Sequence, residues 1–539
     1  MLYRFFRDSY WGVIINKLSH HKYFPQKEEL PGYVIPEKYL QGPSESSECS
    51  SDSKCNPEKE CSEEVENKII VTWDGEDDME NPQNWPRFQK AIFMFNIFFL
   101  TISVYIGSAI YTPGIEEVMH VFDVDQNVAT LPLTCFVVGY GTSIFLPLSE
   151  SAKYGRTLLY ITTLFAFFIL QIGTAYSQNI QTLCILRFLA GVFGSPCLGT
   201  GNASMGDILP ISQLLNGVAL WSISAISGPS LGPVIGGALV NKWNWRAPFW
   251  FMVCSSGVSF LIFSFFLPET YGKTLLYRKA IRLRALTGNE NIISEGEIED
   301  QKHSTTDFFL NLAWRPFEIM FFEPMVLLID IYTSLMYALM YTWFEAFPLL
   351  YMNTYGFTLV ESGVVFLVLV LSQLIGTLVY IPIITRTYTQ PLVAGKEVSP
   401  EVFLPLSIVG SILMPIGLFM FGWSGTNSVH WIVSIIGAGI FGFGAFFVFQ
   451  TLFNYLAFSF THYLASVFAG NNMMRSTLAA FFPIIGRYAF NNLAIEKFPV
   501  AWGSTVLGCI TTVMILIPTL FYINGPKLRA RSKYSNINQ

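Results

Sequence analysis

Charge is scarce in this chain of 539 residues: Asp, Glu, Lys and Arg make up 13% of it, against about 25% in soluble domains. Histidine is rarer, six in all, and none stands centrally in a long apolar run, so carboxylates are left to handle any protons there. No glycine-rich loop ends in Lys-Ser or Lys-Thr, which argues against ATP as the direct energy source. No early apolar core with a small-residue cleavage site marks a signal peptide, and the first long apolar run, from Ala91, is expected to act as an uncleaved insertion signal. The eight cysteines imply no disulfide framework. Cys49, Cys55 and Cys61 are evenly spaced in a Ser/Glu-rich segment without a histidine to complete a zinc site, and the other five fall in apolar runs, where a thiol packs as a small apolar group. Runs of the His/Asp or His/Glu type that a membrane enzyme needs are missing. No enzyme activity, cofactor, metal or nucleic-acid partner is expected.

What remains is grease. The chain is 52% hydrophobic and holds 48 Phe, which removes the three or four soluble domains that its length would otherwise suggest. Apolar runs near the ~20 residues that cross a bilayer as a helix fall at about 91–111, 127–148, 157–176, 181–201, 214–240 and 248–267, then at 324–345, 360–384, 402–423, 430–456, 464–486 and 502–523. Six, a polar stretch, and six is the pattern of a duplicated bundle. The expected fold class is an all-α membrane protein of twelve transmembrane helices in two pseudo-symmetric halves. Its parts would be a partly disordered tail at 1–90, bundles at 91–268 and 323–523, a central loop at 269–322 and a short tail at 524–539. Residues 1–40 mix aromatic and basic side chains, as an amphipathic helix on the bilayer surface does, although a solvated tail reads the same way.

Basic residues give the orientation. Seventeen Lys and Arg near the membrane fall on the side of the N-terminus and central loop, against Lys242, Arg246, Arg487 and Lys497 on the other. Both termini are therefore expected in the cytosol.

Two helices carry polar stripes. Thr101, Tyr105, Ser108 and Thr112 share one face of the first span, and Asp330, Ser334, Tyr337, Tyr341 and Glu345 share one face of the seventh. Such a stripe faces either a wet cavity or a hydrogen-bonding neighbour. In the fifth span Ser224, Gly228, Gly232 and Gly236 recur every four residues and leave a groove without side-chain volume, with Pro229 and Pro233 beside it as places to bend. The Gly-Ala-Gly-Ile-Phe-Gly at 437–442 fits the dinucleotide pattern but follows no strand, and helix packing accounts for it. Asn202 opens a glycosylation sequon that the topology places inside, where it is unused.

The fifth-span run at 219–237 resembles the antiporter signature of the major facilitator superfamily, with Ala219 in place of its first glycine and Gly228, Gly232, Pro233, Gly236 and Gly237 matching. Asn-Pro-Gln-Asn-Trp-Pro at 81–86, Pro-Leu-Ser-Glu and Tyr-Gly-Arg within 147–156, Ile-Leu-Arg-Phe-Leu-Ala-Gly at 185–191, Leu-Pro-Glu-Thr at 267–270 and Trp-Phe-Glu-Ala-Phe-Pro at 343–348 are similar to its fungal drug:proton antiporter branch. The likeness extends from Tyr3 to Tyr534 and is nearest to the yeast exporters of benomyl, methotrexate and azoles.

That resemblance implies roles. Arg187 matches the fourth-helix arginine of proton coupling, the alternative being a side chain that snorkels to the outer surface. Asp207 matches an acidic residue at the inner end of the same helix, or is a solvated loop carboxylate. Glu150, Gly155 and Arg156 match a loop motif that latches the inward gate, but this chain is two residues shorter between Gly139–Gly141 and Pro147, which rotates a helix by about 200° unless the loop absorbs it. Arg475, near the middle of the eleventh span, needs a partner, and Asp330 and Glu345 are the carboxylates on offer. Relatives carry Asn at the position of Asp330, whereas Glu345 fits the family and suits a proton carrier. The cavity is expected to use Tyr105, Tyr337, Tyr341, Phe344, Gln450, Asn454 and Asn471.

The expected function is export of diverse toxicants and antifungals in exchange for protons by alternating access, in the plasma membrane, as a monomer, with drugs, protons and lipid as partners. Import of a metabolite or polyamine on the same fold is the alternative. A membrane sensor would carry a long folded cytosolic extension.

Overall fold

The computed structural model describes residues 2–20, 22–36, 39, 68–142, 155–302 and 314–534. Among these, ten helices are long and apolar enough to cross a membrane. Two more fill the expected places. Gln126–Gly141 has 16 described residues and is followed by Thr142, the last described residue there, and Leu464–Leu493 is long enough but carries Asn471, Asn472 and Arg475 in its first half. The spans are, in order, Arg87–Ala109, Gln126–Gly141, Gly155–Ala175, Ile180–Gly194 continued by Pro196–Ile208, Ile211–Lys242 and Ala247–Phe266. The second six are Pro324–Phe347, Leu359–Val365 with Leu367–Ile384, Leu404–Ser424, Ile432–Ser459, Leu464–Leu493, and Ala501–Met514 with Leu516–Arg531. Local chemistry sets several ends. Asn179 caps the fourth span by accepting from the Thr182 amide at 2.8 Å, and Pro196 interrupts it one residue after Ser195. Arg487, expected in a loop, lies inside the eleventh helix. Cys49, Cys55, Cys61 and Glu150, and the shortened segment before the gate motif, fall outside the described residues.

The chain forms two compact units. The first comprises Met1–Phe93, Pro147–Ile161 and Leu261–Phe308. Here the segments read as tail and central loop pack on each other. Ile69–Ile70 pairs in parallel with Ile292–Ile293, beside a core of Tyr39, Val71, Ala280, Leu283 and Ile292. Helices Leu2–Arg7 and Tyr10–Leu18 lie along the end of the sixth span, where the rings of Phe6 and Trp11 stack on Phe265. Carboxylates meet three of the cations packed there. Lys279 donates to Asp74 at 2.6 Å, Arg282 to Glu28 at 2.9 Å and Arg284 to Glu297 at 2.6 Å. Burial opposes the Asp74 anion, but the bonds from Lys279 and Lys27 outweigh it and hold that carboxyl below its ordinary value. Glu80 goes the other way: burial, then the charge of Glu28, push it up to about 6.

The second unit comprises Met94–Leu146, Thr162–Phe260 and Phe309–Gln539. Close helix approach through glycine recurs throughout it. A Cβ on Gly139 would fall 2.2 Å from the Phe188 carbonyl oxygen, and one on Gly417 2.4 Å from the Phe441 nitrogen. Gly437 meets the Phe421 nitrogen at 2.7 Å by the same construction, so the glycines at 437–442 serve helix packing.

Candidate functional site: a seam between the two halves

The fifth-span glycines are filled by a neighbour. A Cβ on Gly228 would lie 2.3 Å from the Cβ of Tyr105, one on Gly232 2.7 Å from the Ile110 nitrogen, and one on Gly236 2.3 Å from the Ile110 oxygen. All three contacts belong to the end of the first span, which rides in the groove. The adjacent line of the fifth span touches the other half: a Cβ on Gly237 would lie 3.2 Å from the Leu359 oxygen, and one on Gly363 would meet the Pro233 oxygen at 2.7 Å. Ala219 is fully buried on the same helix.

Arg187 is fully buried and does not snorkel. Its Nη2 donates to the Gly107 carbonyl at 2.7 Å and its Nε to Pro132 at 3.4 Å, while its guanidinium lies 4.3 Å from the Phe136 ring and 5.7 Å from Phe249. Gly107 is in the last turn of its helix, where carbonyls lack intrahelical donors, and a cation there also answers the helix dipole. Arg187 therefore ties the first, second and fourth spans together without a carboxylate. Asp207 is half-buried within the helix Pro196–Ile208, not in a loop.

The halves meet along the second span. Asn127 Nδ2 donates to the Tyr488 hydroxyl at 2.7 Å and Thr134 Oγ1 to the Ala480 carbonyl at 2.8 Å. Asn472 Nδ2 reaches the Tyr140 carbonyl at 3.4 Å, and a Cβ on Gly141 would press on Ser476 at 2.7 Å. The Tyr140 hydroxyl joins those of Tyr337 at 3.0 Å and Tyr341 at 3.1 Å. Residues 127, 134 and 141 are seven apart, about two helical turns, so they share one face. These contacts close the end of the unit at which residues 243–246 join spans five and six and residues 353–358 join spans seven and eight.

Of the expected cavity residues, Tyr105, Tyr337, Tyr341 and Phe344 come together. Tyr105 lies 5.9 Å from the Tyr140 ring, Tyr337 5.1 Å from Tyr341, and Tyr341 5.2 Å from Phe344. A small cavity beside them is lined by Ile226, Pro229, Ser230, Met340 and Leu369 with Tyr337, Tyr341 and Phe344. Asn454 and Asn471 stand elsewhere: Asn454 donates to the Tyr380 hydroxyl at 2.5 Å, and Asn471 to Asp330 Oδ1 and Thr333 Oγ1, both at 2.8 Å. Gln450 is buried one turn before Asn454. Some members of both polar stripes bond neighbouring helices in this conformation. Thr101 Oγ1 accepts from Trp221 at 3.2 Å, and the Ser108 and Thr112 hydroxyls bond back to their own helix.

Arg475 does not pair with a carboxylate. Its Nη2 donates to Asn472 Oδ1 at 2.9 Å, and its guanidinium lies over Tyr337, Phe449 and Phe453 at 4.7, 5.2 and 5.8 Å. Glu345 is 15 residues beyond Asp330 on one helix, about 22 Å away, and the charge that bears on it is that of Arg487. The two carboxylates thus belong to opposite ends of the seventh span.

In the first unit, Gly155 has φ +75°, and Arg156 lies 5.0 Å from the Tyr271 ring. Glu269 supplies what the sequence did not reveal. Its carboxylate accepts from the amides of Arg156 at 3.2 Å, Thr157 at 3.1 Å, Thr270 at 3.0 Å and Tyr271 at 3.0 Å, an anion at the start of the third-span helix. A Cβ on Gly155 would strike Glu269 Oε2 at 2.2 Å. Tyr140, Asn472 and Met340 were also missed. Tyr140 carried a signal, because it stands between Gly139 and Gly141 at the end of an otherwise apolar run from Phe136.

Comparisons agree with this architecture. The Major Facilitator Superfamily family model matches residues 97–483. The chain is 52% identical to the Cycloheximide resistance protein of Candida maltosa, over 98% of this chain and 99% of that one. It is 38% identical to Fluconazole resistance protein 1 of Saccharomyces cerevisiae, over 95% and 92%. Among solved structures, the human organic anion transporter MFSD10 aligns with a TM-score of 0.56 at 14% identity, covering 80% of this chain and 99% of that one. The peptide transporter POT aligns at 0.57 and 14%, covering 84% and 98%.

Proposed function

The chain belongs to the major facilitator superfamily, and on that premise we propose that it exports toxic small organic molecules in exchange for protons by alternating access. The observation that carries the transport reading is the seam. It consists of single hydrogen bonds and glycine contacts along one face of the second span, which can be broken and remade without unpacking either half. Export of toxicants is supported by the likeness to proteins named for resistance to cycloheximide and fluconazole.

In this reading the halves 91–268 and 323–523 rock about the tyrosine-lined cavity, and the first span moves with the fifth in its groove. The excess of Lys and Arg on one side supports termini in the cytosol of a plasma-membrane protein, with the connections at residues 243–246 and 353–358 outside. The seam then closes the outer side, and one copy of the chain suffices. Tyr105, Tyr337, Tyr341 and Phe344 give substrate apolar bodies with polar tips. Proton coupling is assigned to the buried charges Arg187, Asp207, Asp330, Glu345 and Arg475, and the gate on the cytosolic side to Gly155 and Arg156.

The test is expression in a yeast lacking its main efflux pumps, with growth on cycloheximide and fluconazole measured with and without a protonophore. Resistance that the protonophore abolishes is expected, and Glu345→Gln or Arg187→Ala should reduce it at least about tenfold. Full, protonophore-sensitive efflux in both variants would show that the coupling lies elsewhere.

A further inference from the structure

Asp330 presents an unusual arrangement for a buried acid. It is fully buried, its Oδ1 accepts from Asn471 at 2.8 Å, and its Oδ2 has no hydrogen-bond partner. The one charged group that bears on it among the described residues is Arg475, one helical turn beyond Asn471 on the same face. Yet the two do not pair. Arg475 faces away into the rings of Tyr337, Phe449 and Phe453, and its Nε is unpartnered. An isolated carboxylate anion in apolar surroundings is costly, and Asp330 Oδ2 has neither a hydrogen bond nor an ion pair to offset that cost. That cost favours the neutral acid in this arrangement.

We propose that Asp330 takes the exchanged proton and, through Arg475, sets whether the tyrosine seam is closed. With the proton on, Arg475 is free to sit over Tyr337, whose hydroxyl holds Tyr140 of the other half at 3.0 Å. When the proton leaves, Arg475 is the cation among the described residues that can answer the new anion. Arg475 turns to Asp330, the ring of Tyr337 loses its cation, and the hydroxyl link across the seam loosens. Asn471 and Asn472 are the hinge of this exchange. One amide already holds Asp330 and the other already holds Arg475. Among the described residues the groups that face the pair are tyrosines and groups without charge: Tyr105 from the first span, Tyr140 from the second, Phe449 and Phe453 from the tenth, Thr333 and Tyr337 from the seventh. Glu345, the other carboxylate on the seventh helix, is about 22 Å away and answers to Arg487. It has no part in this switch.

The inference rests on the proton-coupled reading, and the experiment separates the two. Full-length protein carrying Thr134→Cys and Ala480→Cys, one seam contact, is reconstituted in vesicles, and disulfide cross-linking yield is measured from acid to alkaline pH beside cycloheximide transport. The parent is expected to cross-link well at low pH and several-fold less at high pH. Asp330→Asn should cross-link equally at all pH values, lose transport driven by an imposed pH gradient by more than tenfold, and keep exchange of substrate for substrate. Asp330→Glu should restore the pH response with a displaced midpoint, and it decides the matter if Asp330→Asn does not reach the membrane. The proposal is overturned if gradient-driven transport survives in Asp330→Asn, or if cross-linking in either variant follows the parent's pH profile. Loss of coupling in Glu345→Gln with Asp330→Asn intact would overturn it while leaving antiport standing. Parent transport indifferent to the gradient would instead sink the antiport reading itself.

Discussion

The two units hold their cations in different ways. In the unit built from the N-terminal and central polar segments, Lys279, Arg282 and Arg284 each meet a carboxylate within 2.6 to 2.9 Å. In the unit that carries most of the spans, Arg187 and Arg475 meet carbonyl oxygens, an amide and aromatic faces. An ion pair fixes a charge by supplying its opposite, and breaking it strands a partner. A ring face or a carbonyl holds a cation more loosely and leaves it free to change partner. The first arrangement suits a scaffold, the second a part that moves. Arg529, which forks onto Glu401 at 2.9 Å through two nitrogens, shows that the second unit uses ion pairs too, away from the seam.

That contrast can be broken most forcefully at Glu28. Its side chain is fully buried beneath Arg282, so Glu28→Gln leaves a cation without its anion and should cost the local fold about 3 kcal/mol. Hydrogen exchange over residues 279–293 would read this as faster opening, with the spans unaffected. Lys273→Ala is the control, since both ends of its pair with Glu299 are well exposed and the effect should stay under about 0.5 kcal/mol. Equal effects at the two sites would erase the distinction.

Arg187→Lys sharpens it in the other unit. Lysine keeps the charge but lacks the fork that reaches two carbonyls and the plane that lies on Phe136. Efflux should fall about tenfold, or ~1.4 kcal/mol, with less effect on thermal stability than Arg187→Ala. Full activity in the lysine variant would mean that charge alone matters there.

The smallest effect concerns pH. Because Glu80 titrates near 6 in the fold, above its ordinary value, its contribution to stability is full below that ordinary value and fades as pH rises through about 6. Asp74, held low, behaves oppositely: its contribution is present at neutral pH and is lost only in acid. Glu80→Gln should therefore flatten the stability of the first unit between about pH 5 and 7, worth about 1 kcal/mol, in hydrogen exchange measured across that range. An unchanged slope would show that another group sets it.

Much of this was legible in the residues. A crossing helix needs its own length of apolar side chains and makes its own backbone hydrogen bonds, so ten spans announce themselves one at a time. The eleventh is weaker because Asn471, Asn472 and Arg475 stand in its first half. The groove of Gly228, Gly232 and Gly236 was legible as a groove, since an absent side chain is visible in sequence. Its occupant was not. Nor was the carboxylate of Glu269 over Gly155, because two segments more than a hundred residues apart supply that contact.

Helix count, apolar faces and the places where backbones can approach were determined by the sequence alone, each a property of one segment and its surroundings. Partners were decided only by the tertiary structure. Whether Arg475 meets Asp330 or a cage of rings, and whether residues 68–71 are a tail or the edge strand against residues 292–293, depends on distances between remote segments. No local pattern encodes those distances.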